Sequence, residues 1–387
     1  MTKQEYRICT RGVWDTTVPG ITFDENGVSN YAKMFDKLCE AYPRGAKGKK
    51  YWENIVERIR EKGKNKRYDC IIGVSGGTDS SYLLHLAKKK YELRPLAVNL
   101  DNGWNSDIAV ENIKKVTKEL EIDLETYVID YEEVKSVLKS YMKAVLPWID
   151  GPTDIAIKSV LNLIAKRENI KYILNGSDFH SEGKQPSEWT YTDSKQLKWL
   201  NKKFGDIRLK TFPSQDLFGI LYTSLFNQIK SYRPLNYVDY QKKKAQDLLA
   251  NNYDWKYYGG HHHENIFTKF AISYWLPKKF NFDKRKITLS AQILSGEITR
   301  EETLNKIKLP PYDLDQMERD KNYVIKKLGF SKTEFDEIWA RENKFYWSYP
   351  SYMPLYYKFN KYLRPISKRI FTFTPSIIVE KENRNLQ

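Results

Sequence analysis

Cysteine is scarce in this chain, which has 387 residues and only three cysteines, Cys9, Cys39 and Cys70. Three widely separated thiols cannot build the disulfide framework of a small secreted protein. Cys70 also lies inside an apolar run, where we expect it to be a plain core residue. The cysteine content therefore favours a reducing compartment.

Long hydrophobic runs are also missing. No stretch approaches the roughly 18 apolar residues that a membrane-spanning helix needs. The first residues, MTKQEYRICTRG, lack the apolar segment of a secretory signal peptide. We therefore expect a cytoplasmic protein without a membrane span.

Acidic residues are outnumbered, since 65 lysines and arginines face 49 aspartates and glutamates, for a net charge of +16. Such an excess suggests an anionic partner, which could be RNA, a phosphorylated small molecule or a membrane face. Charge alone does not choose among them. The lysines are spread along the whole chain, so a solvated lysine-rich surface explains the excess equally well.

The middle of the chain alternates short β-rich runs with helical periodicity. Predicted strands cover residues 70–74, 96–100, 126–129, 172–174 and 207–212, and the stretches between them are amphipathic. This alternation predicts an α/β fold with a parallel, helix-covered sheet.

The pattern changes on either side of this region, which suggests three parts. We predict an N-terminal hairpin and helical link over residues 1–60, the α/β domain over 61–215 and a mainly helical, aromatic-rich domain over 216–387.

A glycine-rich turn lies between the first predicted strand and the helix after it. Its sequence, over residues 75–80, is SGGTDS. A strand-to-helix turn of this kind points several backbone N–H groups at one anion, and glycine lets a phosphate approach closely. The turn lacks the Gly-Lys-Ser/Thr ending of a kinase-type P-loop and the Gly-x-Gly-x-x-Gly of a dinucleotide fold. Asp79 would repel phosphate unless a cation lay between them, which argues for Mg²⁺.

With the apolar strand before it, this turn resembles the PP-loop of the ATP pyrophosphatases. The resemblance implies cleavage of ATP between its α- and β-phosphates, adenylation of an acceptor oxygen and release of pyrophosphate. It implies catalytic roles for Asp79, Asp178 and Ser80, and Mg²⁺ ligands at Asp79 and Asp178. The residues that it implies for ATP binding are Ser75, Gly76, Gly77, Thr78, Asp79, Ser80, Asp101, Asn102 and Gly176.

Further motifs extend the resemblance to the N-acetyl sugar amidotransferases, which make acetamidino sugars for bacterial surface polysaccharides and flagellin glycans. These motifs include SEWTYTDSKQLKWLNKKFG, YYGGHHHENIFTKF and FDKRKITLSAQILSGEITREETL. The resemblance implies that ATP activates the acetamido oxygen of a nucleotide-linked sugar and that ammonia then displaces AMP. Residues that could contact the sugar are Glu188, Trp189, Tyr191, Asp193, His262, His263, Glu264, Lys284 and Arg285.

Each of these motifs can also be explained without a substrate contact. SEWTYTD could be a capped, packed connector, and the charged stretch at 283–286 could be a solvated surface run. Three consecutive histidines at 261–263 diverge in any regular structure, so they make a poor metal site.

The source of ammonia points to partners. A glutaminase needs a nucleophilic cysteine with a suitable partner, and none of the three cysteines has such a setting. The family resemblance implies a separate glutaminase and a cyclase-like subunit of the imidazole glycerol phosphate synthase type.

Two alternative functions are a PP-loop enzyme that adenylates a tRNA base and a non-catalytic nucleotide-binding scaffold. Thiolation of tRNA would need cysteines that are absent here, and lysidine-type chemistry would not explain the C-terminal motifs.

The N-terminal segment departs from its relatives, in which two Cys-x-x-Cys pairs suit structural zinc. The aligned positions here are Cys9, Gly12, Ser29 and Ala32, which leave one thiolate of four. We therefore predict a zinc-free segment, held to the rest of the chain by packing of Ile21, Phe23 and Val28.

Overall fold

A five-stranded sheet forms the centre of the computed structural model, which describes residues 5–260, 262–358, 379–380 and 383–384. Its strand order is β3-β2-β1-β4-β5, and every neighbouring pair is parallel. The strands are β1 (Cys70–Gly73), β2 (Pro95–Asp101), β3 (Leu124–Val128), β4 (Tyr172–Leu174) and β5 (Lys230–Tyr232). The predicted α/β class with a parallel sheet is confirmed.

Helices cover both faces of the sheet and form most of the region after β5. The described α-helices are α1 (Asn30–Ala41), α2 (Gly45–Gly63), α3 (Thr78–His85), α4 (Asp107–Glu119), α5 (Tyr131–Lys143), α6 (Gly151–Arg167), α7 (Phe179–Glu182), α8 (Ser187–Thr190), α9 (Ser194–Phe204), α10 (Leu217–Leu225), α11 (Lys242–Tyr253), α12 (Ile266–Phe270), α13 (Arg285–Leu294), α14 (Arg300–Lys308), α15 (Leu314–Leu328) and α16 (Lys332–Ala340). Two π-helical segments, Leu86–Lys90 and Ala271–Phe280, continue α3 and α12. Among the helices that the structure describes, none is long and apolar enough to cross a membrane.

The fifth strand is not the predicted one. Residues 207–212 form a loop whose backbone groups are bound by side chains: Glu133 accepts from the amide of Thr211, and Asn201 donates to the carbonyl of Ile207. Because α5 and α9 satisfy this backbone, it does not need a sheet partner. The observed β5 has only three residues and a polar sequence, Lys-Ser-Tyr, which gives little periodic signal. The sheet therefore extends past residue 215, and the division into domains stays a prediction.

Alternate residues of β1 serve two different cores. Ile71 packs with Val98 and with Ile164 of α6 on one face of the sheet. Ile72 packs on the other face, in a larger cluster that includes residues of α2, α3 and α11. This alternation follows from the two-residue period of a strand, and it leaves the carboxyl edge of the sheet as the place where loops converge.

The N-terminal segment packs against the body of the protein, in agreement with the predicted packing. Cys9 and Ile21 are buried in the larger core cluster, and Phe23 and Val28 pack against it. The Cys9 thiol accepts a hydrogen bond from the amide of Ser29 at 3.3 Å, next to the N-terminus of α1. Ser29 itself caps that helix by accepting from Ala32 at 3.2 Å. Whether the protein binds zinc stays a prediction.

Helices α13 and α14 anchor this segment from outside. Ser290 accepts a hydrogen bond from the amide of Val13 at 2.8 Å. Arg300 donates to the carbonyls of Cys9 and Gly12, both at 3.0 Å. These bonds join parts of the chain that are nearly 300 residues apart in sequence, so the segment is part of the same folded unit as α13.

Replacing Arg300 by Ala should loosen the N-terminal segment, because the carbonyls of Cys9 and Gly12 lose a charged donor. We expect a loss of about 1–2 kcal/mol in the free energy of unfolding and faster tryptic cleavage before residue 30. Arg319→Ala is the matched control, since within the described part of the chain the Arg319 guanidinium bonds to Gln316 on its own helix and to no other group. Equal cleavage rates in the two variants would show that Arg300 does not hold the segment.

Candidate functional site

The turn at residues 75–77 leads from β1 into α3. Hydrogen bonds of the Ser75 and Ser80 hydroxyls hold its backbone in place. The Ser80 hydroxyl accepts from the amide of Ser75 and donates to the carbonyl of Gly77, both at 3.3 Å. The Ser75 hydroxyl accepts from the amide of Gly77, also at 3.3 Å. These bonds fold the backbone around one point at the N-terminus of α3, where the helix dipole favours an anion.

Gly76 permits a backbone conformation that a side chain would not. Its φ is +77°, and a Cβ there would lie 2.3 Å from the carbonyl oxygen of Ala109. The Gly76 carbonyl accepts from Asn112 at 3.2 Å and from the Trp255 indole at 3.0 Å. The loop is therefore fixed from behind by α4 and by the chain that follows α11.

Gly176 brings the end of β4 against the same loop. A Cβ at this position would lie 2.9 Å from the Asp79 carbonyl carbon and 2.9 Å from the Ser80 amide nitrogen. Both neighbours are backbone atoms, which cannot rotate away. The glycine predicted to face the nucleotide therefore also sets the spacing between the loop and β4.

Asp79 is held by two side chains that the sequence did not reveal. Tyr240 donates its hydroxyl to one carboxylate oxygen, and Lys242 lies 3.3 Å from the other. Burial is the largest single effect on Lys242 and lowers its pKa, but Asp79, Tyr258 and Glu182 together outweigh burial and raise the pKa of the lysine. A carboxylate and an ammonium group thus lie together at the mouth of the loop.

Glu264 reaches the loop from the other side. The Ser75 hydroxyl donates to Glu264 Oε1 at 3.3 Å, and a Cβ on Gly77 would lie 3.2 Å from the same oxygen. Glu264 Oε2 is buried and has no hydrogen-bond partner among the described residues. Burial is the largest single effect on Glu264 and raises its pKa, but His262, whose Nδ1 lies 3.6 Å away, a backbone hydrogen bond and Lys242 together outweigh burial and lower the pKa. Two carboxylates, Asp79 and Glu264, therefore flank the loop, a donor set that suits a divalent cation.

Asp178 lies between β4 and α7, and its predicted catalytic and Mg²⁺-binding roles stay predictions. It caps α7 by accepting from the amide of Ser181 at 3.0 Å. Its other oxygen lies 2.9 Å from His180 Nδ1 and 3.4 Å from the Arg44 guanidinium, and its side chain is fully buried. Both Asp178 oxygens are engaged within the protein, as both Asp79 oxygens are, and Glu264 is a further carboxylate beside the loop.

Asp101 and Asn102 end β2 next to the loop and shape the turn that follows. Asp101 accepts from the amide of Gly103 at 2.8 Å, and Asn102 accepts from the amide of Trp104 at 3.1 Å. The amide group of Asn102 also donates to Thr153 at 3.1 Å, at the start of α6. The structure thus places both residues at the carboxyl edge of the sheet, as the sequence predicts.

A group of partly or fully buried charges, which we call the polar basin, adjoins Asp79 and Lys242. Its members are Asp150, Glu182, Lys184, Arg233 and Lys284. Glu182 interacts electrostatically with Asp79, Lys242 and His262, and it also acts on Lys184, Arg233 and Lys284. The basin therefore continues directly from the loop.

Burial dominates the ionisation of the basin. It raises the pKa of Asp150 to about 7, with Asp154 adding to the effect, and it raises the pKa of Glu182. It lowers the pKa of Lys184 to about 7, with Arg233 adding to the effect, and that of Lys284 to about 8. Groups with pKa values near neutrality can exchange protons at physiological pH, as acid–base chemistry requires.

Other predicted substrate residues make contacts elsewhere. Trp189 is buried and stacks on Phe282, with ring centroids 5.0 Å apart. The remaining contacts are Glu188 with Arg384, Tyr191 with Asp193, Asp193 with the amide of Gln196 in α9, His263 with Ser273, and Arg285 with Asp283 and the carbonyls that end α14. His262, Glu264 and Lys284 are the predicted substrate residues that the structure brings to the loop and the basin. His261 lies outside the described residues.

Two family models match separate parts of the chain. Residues 51–169, which include the loop, match the NAD synthase family. Residues 264–364 match the C-terminal domain described as LPS biosynthesis protein WbpG-like. One part of the chain is thus similar to NAD synthases and another to the WbpG-like domain.

A curated relative matches a shorter part. It is the uncharacterized protein MJ1599 of Methanocaldococcus jannaschii, with 38% identity over 92 residues, which are 24% of this chain and 32% of that protein. The chain thus spans about a third of the length of this relative.

The comparison with solved structures gives matches with low TM-scores. The NH3-dependent NAD synthetase of Campylobacter jejuni has a TM-score of 0.30 at 15% identity, over 73% of this chain and 99% of that one. The NMN synthetase of Francisella tularensis has a TM-score of 0.28 at 16% identity, over 62% and 95%. The U34-tRNA thiolase NcsA of Methanococcus maripaludis has a TM-score of 0.32 at 14% identity, over 70% and 87%.

Replacing Gly176 by Ala should weaken ATP binding by roughly tenfold or more, because the new methyl group would press on the backbone of Asp79 and Ser80. Calorimetric titration with a non-hydrolysable ATP analogue measures the effect. Gly73→Ala is the control, since its Cβ would meet only the Leu161 side chain, at 3.3 Å. Unchanged affinity in a folded Gly176→Ala protein would contradict the proposed nucleotide position.

Proposed function

We propose that this chain is an ATP-dependent amidotransferase that converts the acetamido group of a nucleotide-linked N-acetyl sugar into an acetamidino group. The product would serve bacterial surface glycans, either the O-antigen of lipopolysaccharide or flagellin glycans. One observation carries the proposal: the two matched regions meet at the loop, where Ser75 of the NAD synthase-like region donates to Glu264, the first residue of the WbpG-like region. An ATP-using loop and a glycan-biosynthesis domain thus share one site.

The reaction would proceed in two steps. The acetamido oxygen attacks the α-phosphorus of ATP and forms a P–O bond with it. The bond between the α-phosphorus and the oxygen that bridges to the β-phosphate breaks, and pyrophosphate leaves. Ammonia then adds to the activated carbon, and AMP leaves with the former amide oxygen, so that C=O becomes C=NH with loss of a proton. Adenylation is needed because an amide oxygen is otherwise a poor leaving group.

The residues around the loop suit the first step. The backbone of residues 75–78 would hold the pyrophosphate, and Lys242 would balance the charge that develops as it leaves. Asp79 and Glu264 would hold Mg²⁺, which neutralises phosphate charge when it is bound. For this to happen, the Lys242 ammonium must shift from Asp79 towards the phosphates. The side chain is long enough to make such a shift without moving α11.

The polar basin suits the second step. The attacking species is neutral ammonia, so ammonium must lose a proton before attack, and the nitrogen loses another after it has bonded to the carbon. Asp150, whose pKa burial raises to about 7, can accept such a proton near neutral pH, and burial also raises the pKa of the neighbouring Glu182. The cations Lys184, Arg233 and Lys284 give the same basin the charge to attract an anionic acceptor such as a nucleotide sugar.

The alternative is a tRNA-modifying PP-loop enzyme, which would adenylate a base instead of a sugar amide. The net charge of +16 favours it. The thiolating form of this chemistry is disfavoured, since Cys9 and Cys70 are buried and Cys39 is only partly exposed. Turnover of a nucleotide sugar by protein freed of nucleic acid would exclude the alternative.

Turnover should yield AMP and pyrophosphate, and Asp79→Asn should lower it by at least about a hundredfold, because the cation and Lys242 lose their shared partner. Incubation with ATP, ammonium and a panel of nucleotide-linked N-acetyl sugars, followed by mass spectrometry, measures both products. Asp36→Asn, which removes an exposed ion pair with Arg11, is the control. Release of ADP and orthophosphate would contradict the proposal.

The isolated chain should use ammonium salts but not glutamine, because none of its three cysteines has the setting of a glutaminase nucleophile. We propose that a separate glutaminase and a cyclase-like subunit supply ammonia in the cell. Comparing amidine formation from the two nitrogen sources tests this, with a commercial glutaminase added as a positive control. Glutamine hydrolysis by the purified chain at a comparable rate would refute the need for partners.

A further inference from the structure

Helix α10, Leu217–Leu225, carries large apolar side chains that face solvent. Its sequence, LFGILYTSL, contains no charged residue. The exposed fractions are 78% for Phe218, 52% for Tyr222 and 53% for Leu225, and Phe226 directly after the helix is 72% exposed. Contiguous exposed apolar side chains of this kind mark interaction sites on protein surfaces.

The cluster borders a groove of about 840 Å³ between α10 and α6. Leu163 of α6, which is 51% exposed, extends the apolar surface across the groove. The described residues that line it include Lys166 but no carboxylate. We call Leu163, Phe218, Tyr222, Leu225 and Phe226 the α10 patch.

Lysines border the α10 patch on one side. Lys166 Nζ lies 5.9 Å from the centre of the Tyr222 ring. Lys171 donates to the carbonyl of Asn227 at 3.1 Å, just after the patch. Burial lowers the pKa of Lys66, and the charges of Lys171 and of Lys62 lower it further, which shows that these cations lie close together.

The nearest carboxylates do not cancel this charge. Glu125 and Glu168 both pair with Arg167, the last residue of α6. Asp216 caps α10 by accepting from the amide of Gly219 at 2.8 Å. An apolar, aromatic surface therefore adjoins a cluster of lysines that have no carboxylate partner in any ion pair within the described residues.

We propose that the α10 patch docks on an anionic lipid membrane, with the phenylalanines and leucines in the headgroup boundary and the lysines against lipid phosphates. Aromatic and leucine side chains beside lysines are the composition of interfacial membrane anchors, and each lysine near an anionic surface strengthens binding. This proposal does not depend on the catalytic function.

Two other occupants fit the patch less well. RNA would stack on the aromatic rings but would gain little from Leu163 and Leu225, which have no π-face. A second copy of the chain, related by a two-fold axis through the patch, would bring one lysine cluster towards the other. An anionic bilayer matches both the apolar and the cationic part.

Flotation of the full chain with vesicles tests the proposal. The vesicles contain phosphatidylcholine alone or equal parts of phosphatidylcholine and phosphatidylglycerol. We expect binding to the anionic vesicles that high salt weakens, and a loss of roughly tenfold or more in the double variant Phe218→Ser with Phe226→Ser. Leu309→Ser with Leu314→Ser is the matched control, since these leucines are 65% and 60% exposed elsewhere on the surface. Circular dichroism verifies that both variants are folded.

Several outcomes would overturn the proposal. These are no binding to anionic vesicles, equal binding by the two double variants, or equal binding to neutral and anionic vesicles. Light scattering and the absorbance ratio of the purified protein examine the other occupants. A dimer, or bound RNA, that the Phe218 and Phe226 substitutions abolish while vesicle binding is unaffected would assign the patch to that partner instead.

Discussion

The carboxylate of Asp79 would repel a phosphate in the adjoining loop, and the contacts that offset its charge organise the whole site. Lys242 and Tyr240 bind it directly, and the backbone of Tyr240 is in turn held by Arg44, whose guanidinium also reaches Asp178. Segments from α2, β4, α7 and α11 therefore meet because one negative charge must be accommodated. Asp178 takes part in the same set of contacts, since its carboxylate pairs with the arginine that binds the backbone of Tyr240.

Electrostatics also distinguishes the two halves of the site. Beside the loop, opposite charges are paired closely, and the pKa shifts of Lys242 and Glu264 favour their charged forms. In the polar basin burial prevails, so Asp150 and Lys184 titrate near neutrality. The charged groups beside the loop and the titratable groups of the basin suit the two steps of the proposed reaction. The first step displaces pyrophosphate, and the second adds ammonia and removes a proton from it.

The sequence predicted the part of this arrangement that depends on local pattern. Buried strands such as β1 and a glycine-rich turn have strong signatures, so the α/β class and the loop were found. The sequence could not predict the roles of Lys242, Tyr240 and Arg233, because these roles arise from contacts between segments far apart in the chain. Arg233 follows β5, whose three polar residues carry no strand signal; once that strand is known, a charged residue at its carboxyl end is a natural candidate. Arg285, in a motif that suggested either a substrate contact or a surface run, binds the carbonyls at the end of α14, and its predicted substrate contact stays a prediction.

Helix α6 links the two surfaces described above. It begins beside Asp150 in the polar basin and ends at Arg167 next to the lysine cluster, and its 17 residues span about 25 Å. A molecule lying on a bilayer through the α10 patch would hold its basin within about 25 Å of the lipid. Under the two proposals above, nucleotides would reach the basin from the aqueous phase, and the product would be released within a short diffusion distance of the lipid surface.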